Sequence, residues 1–217
     1  MKIKTNSNKV NKAWLSNHVN DTYVKLAQKE GYRARAAYKL QELDEMFGLV
    51  KPGALVVDLG STPGAWSQYL RRRMTAKGNA SGNETGKVLA LDLLPMEPIE
   101  GVHFILGDFR EEDVLVQLET ALDGKKADLV VSDMAPNLSG ISSTDAARVS
   151  LLIELALDFS NGHLVKGGNM VAKVFHGPAY NELVTGFKKQ FRQVKAVKPK
   201  ASRPGSTETF LVGLGLL

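Results

Sequence analysis

Four apolar segments that each run into an aspartate constrain this chain more than any other feature. They are ALVVDLG (54–60), KVLALDLL (87–94), VHFILGD (102–108) and ADLVVSD (127–133). Each is too short for a membrane span and the right length for a buried strand. Segments of helical spacing separate most of them: about 65–73 and 111–122, then a long one over roughly 144–165. GNMVAKVF (168–175) predicts a fifth strand, 179–191 a helix, 192–198 a strand and TETFLVGLGL (207–216) a last strand. Strands alternating with helices predict an α/β fold: a seven-stranded, mostly parallel sheet with helices on both faces. The loop at 199–206 is too short for a right-handed helical crossover, so the last strand should run antiparallel. A doubly wound sheet whose last strand runs backwards is the methyltransferase variant of the Rossmann-like theme.

Two helices are expected ahead of the sheet. Trp14 to Glu30 has helical patterning, with Tyr23, Val24 and Ala27 on one face, and ends at Gly31. Residues 33–47 read as a second helix closed by Gly48. The chain divides into a basic arm and helix at 1–32, expected to bind RNA, and one catalytic domain at 33–217. The polar stretch 76–87 reads as a surface insertion without an assigned function.

The charge distribution supports that division. Residues 1–39 hold nine Lys or Arg against Asp21 and Glu30, whereas residues 40–217 hold 19 basic and 21 acidic side chains. A second basic stretch, Lys188 to Arg203, has seven cations and no acid. Such patches suit a polyphosphate backbone, although a solvated surface has the same composition. The chain has no cysteine, which excludes a disulfide scaffold, a thiolate metal site and a thiol nucleophile. His18, His103, His163 and His176 lack metal-ligand spacing, so no metal is expected. No apolar run reaches 18 residues and the basic start has no apolar core, so neither a membrane partner nor a secretory signal is expected. A cytoplasmic monomer is the expectation.

In open α/β sheets, ligands bind beyond the carboxyl ends of the strands. Asp58, Asp92, Asp108 and Asp133 should meet there, beside the turn Gly60-Ser61-Thr62-Pro63-Gly64. The turn lacks the third glycine of a dinucleotide fingerprint, which disfavours a nicotinamide oxidoreductase. An adenosyl ligand without phosphates fits better: Asp92 for its ribose hydroxyls, Asp108 for its adenine amino group, Trp66 as a wall. Each aspartate taken singly also suits a helix cap or a turn.

Lys173 is the anomaly of the sheet, a cation inside MVAKVF and on the same face as Val171 and Phe175. An unpaired ammonium is costly to bury, so it needs a partner or a task; a stem that merely covers apolar surface is the alternative. Glu208 is its complement at the start of a reversed strand, at the rim where Asp133 also ends. Lys39, on the second helix, can add a fourth charge. Together they suit activation of a ribose hydroxyl: Lys173 as base, Asp133 and Glu208 as orienters, Lys39 as electrostatic tuner. A lysine acts as base only once its pKa falls from its usual value of about 10.4.

These residues resemble the FtsJ-like ribosomal RNA 2′-O-ribose methyltransferases. The resemblance rests on Trp14-Leu15, Tyr23-Val24, Ala27-Gln28-Lys29, Arg33-Ala34-Arg35-Ala36, Tyr38-Lys39-Leu40, Asp58-Leu59-Gly60, Pro63-Gly64-Ala65-Trp66-Ser67-Gln68, Asp92, Gly107-Asp108, Ser132-Asp133-Met134-Ala135-Pro136-Asn137, Lys173 and Ser202-Arg203-Pro204 with Glu208. It implies S-adenosylmethionine as donor, a catalytic set at Lys39, Asp133, Lys173 and Glu208, and cofactor contacts at Gly64, Trp66, Asp92, Asp108 and Asp133. For bacterial members it implies a uridine in the A-loop of 23S rRNA, in the 50S subunit or a late precursor. The turn departs from the family, which commonly has Ala-Ala and a further Gly; so does the insertion. Amino-methylating relatives carry two prolines and an aromatic where this chain has Met134-Ala135-Pro136, which favours ribose oxygen over a base nitrogen. A tRNA ribose methyltransferase and a non-catalytic RNA-binding assembly factor are the alternatives.

Overall fold

The computed structural model describes residues 20–75, 86–135 and 142–217. Trp14-Leu15, the cations before Asn20, most of the 76–87 insertion and Pro136-Asn137 lie outside the described residues. The described helices are α1 (Thr22–Glu30), α2 (Ala37–Phe47), α3 (Ala65–Thr75), α4 (Glu112–Leu122), α5 (Ser142–His163) and α6 (Tyr180–Gln190). The strands are β1 (Leu55–Leu59), β2 (Lys87–Asp92), β3 (Val102–Leu106), β4 (Ala127–Ser132), β5 (Leu164–Phe175), β6 (Phe191–Val197) and β7 (Glu208–Leu216).

One seven-stranded sheet runs β3-β2-β1-β4-β5-β7-β6. The first five strands of that order are parallel, and β7 is antiparallel to both β5 and β6. The last strand therefore inserts between its predecessors, and β6 forms the edge. Because β7 runs backwards, its first residue lies at the rim where β1, β4 and β5 end.

Alternation within the strands buries two apolar faces. On one, Leu89, Val130, Ala172 and Leu211 pack with α4, α5 and α6. On the other, Val56, Val131, Val171 and Phe210 pack with Ala37, Leu40 and Leu43 of α2 and with Trp66, Tyr69 and Leu70 of α3. Lys173 shares this second face with Val171, so the lysine emerges on the side that α2 covers.

Asp21 caps α1, its side chain accepting from the N–H groups of Tyr23 and Val24. Gly31 ends the helix at φ 71°, a left-handed conformation that glycine adopts without steric cost. The second helix begins at Ala37 rather than at residue 33. Arg33 N–H donates to Gln68, and the Arg33 side chain donates to the main-chain oxygens of Pro63, Glu97 and Pro98. The expected helical start is thus a staple that ties the Pro63 turn to the loop at Glu97 and Pro98.

Candidate active site

Two cavities open at the carboxyl rim. The first, of about 500 Å³, is lined by Gly60, Asp92, Asp108 and Asp133, with Leu93 and Leu94 among its apolar walls. At Gly60, φ is +77° and a Cβ would come within 2.7 Å of the Met134 nitrogen. Only glycine lets the turn pass this close to the β4 end. Asp92 Oδ2 accepts from Thr62 N–H at 2.9 Å and Oδ1 from Leu94 N–H at 2.8 Å. Each carboxylate oxygen keeps a lone pair for a ligand hydroxyl. Asp108 is gripped by Arg110, whose Nε lies 2.9 Å and 3.1 Å from its two oxygens. That hydrogen bonding holds the Asp108 carboxyl below the usual carboxylate range.

Three expected cofactor residues lie outside that wall. Asp58 is fully buried, and its Oδ2 accepts from Ser67 Oγ at 2.6 Å. Burial, reinforced by the charges of Asp133 and Asp92, pushes its carboxyl up to about 7, against the opposing Ser67 hydrogen bond. The Trp66 indole does not wall the cavity. It is buried, donates from Nε1 to the Ala36 main-chain oxygen at 2.8 Å and packs 5.8 Å from the Phe210 ring. Gly64 donates its N–H to Ser61 at 2.6 Å and immediately precedes α3.

The second cavity, of about 1000 Å³, lies on the α1 side, and Lys39 and Glu208 belong to its wall. Lys39 Nζ is 2.7 Å from Glu208 Oε1. Lys173 Nζ is 2.8 Å from Asp133 Oδ1 and donates to the Asp133 main-chain oxygen at 2.7 Å. Lys173 and Glu208 are each only 8% exposed, so both pairs act in a medium that screens charge weakly. Burial pushes the Glu208 carboxyl up, but the hydrogen bond and charge of Lys39, with the charge of Lys173, outweigh it and hold the group below its ordinary value. The sheet order β4-β5-β7 sets Asp133, Lys173 and Glu208 side by side. The four charges therefore form a row, Asp133 on the first cavity and Lys39 with Glu208 on the second, with Lys173 between.

Sequence reasoning missed Thr62, Leu93, Leu94 and Arg110 in the first cavity. Arg110 carried a local signal, two residues after an expected ligand; the leucines carried none, because apolar loop residues read as turn-flanking packing. Among the described residues no cluster of histidines and carboxylates could hold a metal ion.

Residues 32–216 match the family described as FtsJ-like methyltransferase. A Ribosomal RNA large subunit methyltransferase E of Variovorax paradoxus (strain S110) is 68% identical over 216 residues, covering 100% of this chain and 97% of the relative. The crystal structure of a Plasmodium falciparum protein described as a ribosomal RNA methyltransferase superposes with a TM-score of 0.73 at 30% identity, covering 86% of this chain and 99% of that one. A TehB-like SAM-dependent methyltransferase from Corynebacterium glutamicum shares the fold at TM-score 0.51 and 17% identity, covering 94% of this chain and 100% of that one.

Proposed function

Because the chain belongs to the FtsJ-like methyltransferase family, we propose that it methylates large-subunit ribosomal RNA, at the ribose 2′-hydroxyl of a uridine in the 23S A-loop. The substrate form is the 50S subunit or a late precursor, and the protein acts as a cytoplasmic monomer. The observation that carries this reading is the row of four charges between two cavities. A methyl donor in one and an acceptor ribose in the other would approach each other across Asp133, Lys173, Lys39 and Glu208.

The first cavity fits S-adenosylmethionine, which when bound supplies an electrophilic methyl group on a sulfonium. Gly60 allows close backbone approach, and Asp92 offers lone pairs to the ribose diol. Asp108 lies where a purine amino group can meet it once Arg110 yields. Leu93 and Leu94 supply apolar walls.

With the donor bound, Lys173, in its neutral amine form, would take the proton that the acceptor hydroxyl loses as its oxygen gains the methyl group. Asp133 fixes the Lys173 head at two points, which aims Nζ at the rim. Glu208, held ionised by Lys39, orients the hydroxyl from the other side. Holding that oxygen oriented for in-line attack would supply much of the acceleration.

Purified protein, labelled S-adenosylmethionine and 50S particles lacking the modification test this directly, with bulk tRNA in parallel. Label in 23S rRNA is expected. Label in tRNA alone would overturn the substrate assignment.

A further inference from the structure

Arg33 lies in the short link between α1 and α2 and, among the described residues, lines neither cavity. Its contacts go to the two segments that supply part of the first cavity's wall, the turn with Gly60 and Thr62 and the loop with Leu93 and Leu94. Nη1 donates to the Pro63 main-chain oxygen at 3.0 Å and to that of Glu97 at 2.6 Å, and Nη2 donates to that of Pro98 at 2.9 Å. One guanidinium thus bridges the turn and the loop that follows β2. Its own backbone is fixed as well, the Arg33 N–H donating to Gln68 Oε1 of α3 at 2.8 Å.

The same two segments meet at Asp92. Its carboxylate accepts from Thr62 N–H on the turn and from Leu94 N–H on the loop. Thr62 Oγ1 adds a further link by donating to the Leu94 main-chain oxygen at 2.8 Å. Side chains of the loop press on the turn too: a Cβ at Gly64 would come within 2.8 Å of Met96 Sδ and Ile99 Cδ1, and within 2.9 Å of Arg33 Nη1. Residues 93–99 belong to no helix or strand, so ties of this kind set where they lie. The separation of turn and loop therefore fixes the direction of the Asp92 carboxylate and the width of the wall around it. Arginine suits the task, because its planar fork of five donors reaches several carbonyl oxygens at once, whereas a lysine ammonium is a compact charge on a flexible stem.

We propose that Arg33 is a positioning residue of the cofactor site: it clamps the loop after β2 onto the Gly60–Gly64 turn and so aims Asp92 at the ribose diol of S-adenosylmethionine. The Thr62 hydroxyl is the second point of the clamp. The proposal rests on the reading of the first cavity as the S-adenosylmethionine site. It separates Arg33 from the other cations of its basic segment, since its guanidinium is spent on the protein's own carbonyl oxygens.

Arg33→Ala, Arg33→Lys and Thr62→Val test it, with thermal unfolding to confirm that each folds. Calorimetry measures affinity for S-adenosylmethionine, steady-state kinetics with 50S particles lacking the modification separates kcat from the KM of each substrate, and a salt series follows binding of purified 23S rRNA. Arg33→Ala is expected to raise Kd and KM for S-adenosylmethionine about tenfold, with kcat at saturating cofactor and the RNA salt slope unchanged. Arg33→Lys should lose the same affinity, because it keeps the charge and loses the fork. Thr62→Val should shift cofactor affinity in the same direction by about threefold. Combined with Asp92→Asn, Arg33→Ala should add little to the loss that Asp92→Asn causes alone. Unchanged cofactor affinity in Arg33→Ala would overturn the proposal, as would full rescue by lysine or losses that add fully to those of Asp92→Asn. A salt slope lower by about one would overturn it by making Arg33 a phosphate contact. Should Arg33→Ala not fold, Thr62→Val carries the test, and wild-type cofactor affinity in it would overturn the clamp. A wild-type protein that binds no S-adenosylmethionine would remove the cofactor reading itself, whereas variants that match a binding wild type remove only the part given to Arg33.

Discussion

Lys173 reaches Asp133 twice, 2.8 Å from its carboxylate and 2.7 Å from its main-chain oxygen. The double contact links the ends of neighbouring parallel strands and leaves the ammonium few directions in which to point. It also explains how a lysine is tolerated in a strand whose neighbours Ala172 and Val174 are fully buried.

Lys173→Ala is therefore expected to lower kcat by about 10²–10⁴-fold, the range for losing a positioned proton acceptor. Calorimetry with S-adenosylmethionine should give nearly the wild-type affinity, because Lys173 is not in the wall of the first cavity. A large loss of cofactor affinity would place Lys173 in cofactor binding instead.

Glu208→Gln should destabilise the protein by about 1.5–3 kcal/mol at pH 7, the range for a hydrogen bond to a charged group. The folded-state carboxyl is held below its ordinary value, so its contribution is present above that ordinary value and fades as pH falls through the folded one. Chemical denaturation from pH 7 down to about 3 should show wild type and variant converging with acid. A difference that persists unchanged would argue against the Lys39 pairing.

Asp58 carries the opposite sign. Its folded-state value of about 7 exceeds the unfolded one, so the folded protein binds more protons in between and this group costs stability as pH rises. Asp58→Asn should gain on wild type from about pH 4 to 7, by on the order of 1.4 kcal/mol per pH unit at most, and level off above. Unfolding curves at several pH values check this; a flat difference would mean that Asp58 is ionised throughout.

Gly60→Ala brings a Cβ against Met134 backbone at φ +77°. It should cost about 1–3 kcal/mol of stability and weaken cofactor binding more than tenfold, because the turn must retreat from β4. Thermal unfolding and calorimetry read both effects; unaltered affinity would remove Gly60 from the cofactor wall.

Much of the sheet is legible in the sequence because its strands are uninterrupted apolar runs with an aspartate at the ligand end. The placement of Asp133, Lys173 and Glu208 at one rim follows from two local facts, an alternation that puts Lys173 with Val171 and a short loop that reverses β7, whereas Lys39 is brought there by the packing of α2 on the sheet. What escaped was set by partners far away in the chain. β5 starts at Leu164 rather than 168 because Leu164 pairs with Ala127 across a bulge. Nothing local places β7 between β5 and β6. Asp58 reads like the other strand-end aspartates, but Ser67 captures it below the turn. Trp66 reads as a pocket wall, but its indole finds the Ala36 oxygen and Phe210 in the core.

The central claim, methyl transfer to a ribose oxygen at the row of four charges, is tested most directly by locating the transferred methyl. 50S particles lacking the modification are labelled with wild-type protein and with Lys173→Ala, and their 23S rRNA is digested to nucleosides for mass spectrometry. Wild-type protein is expected to yield a ribose-methylated uridine and the variant almost none. A methyl found on a base, or undiminished ribose labelling by the variant, would contradict it.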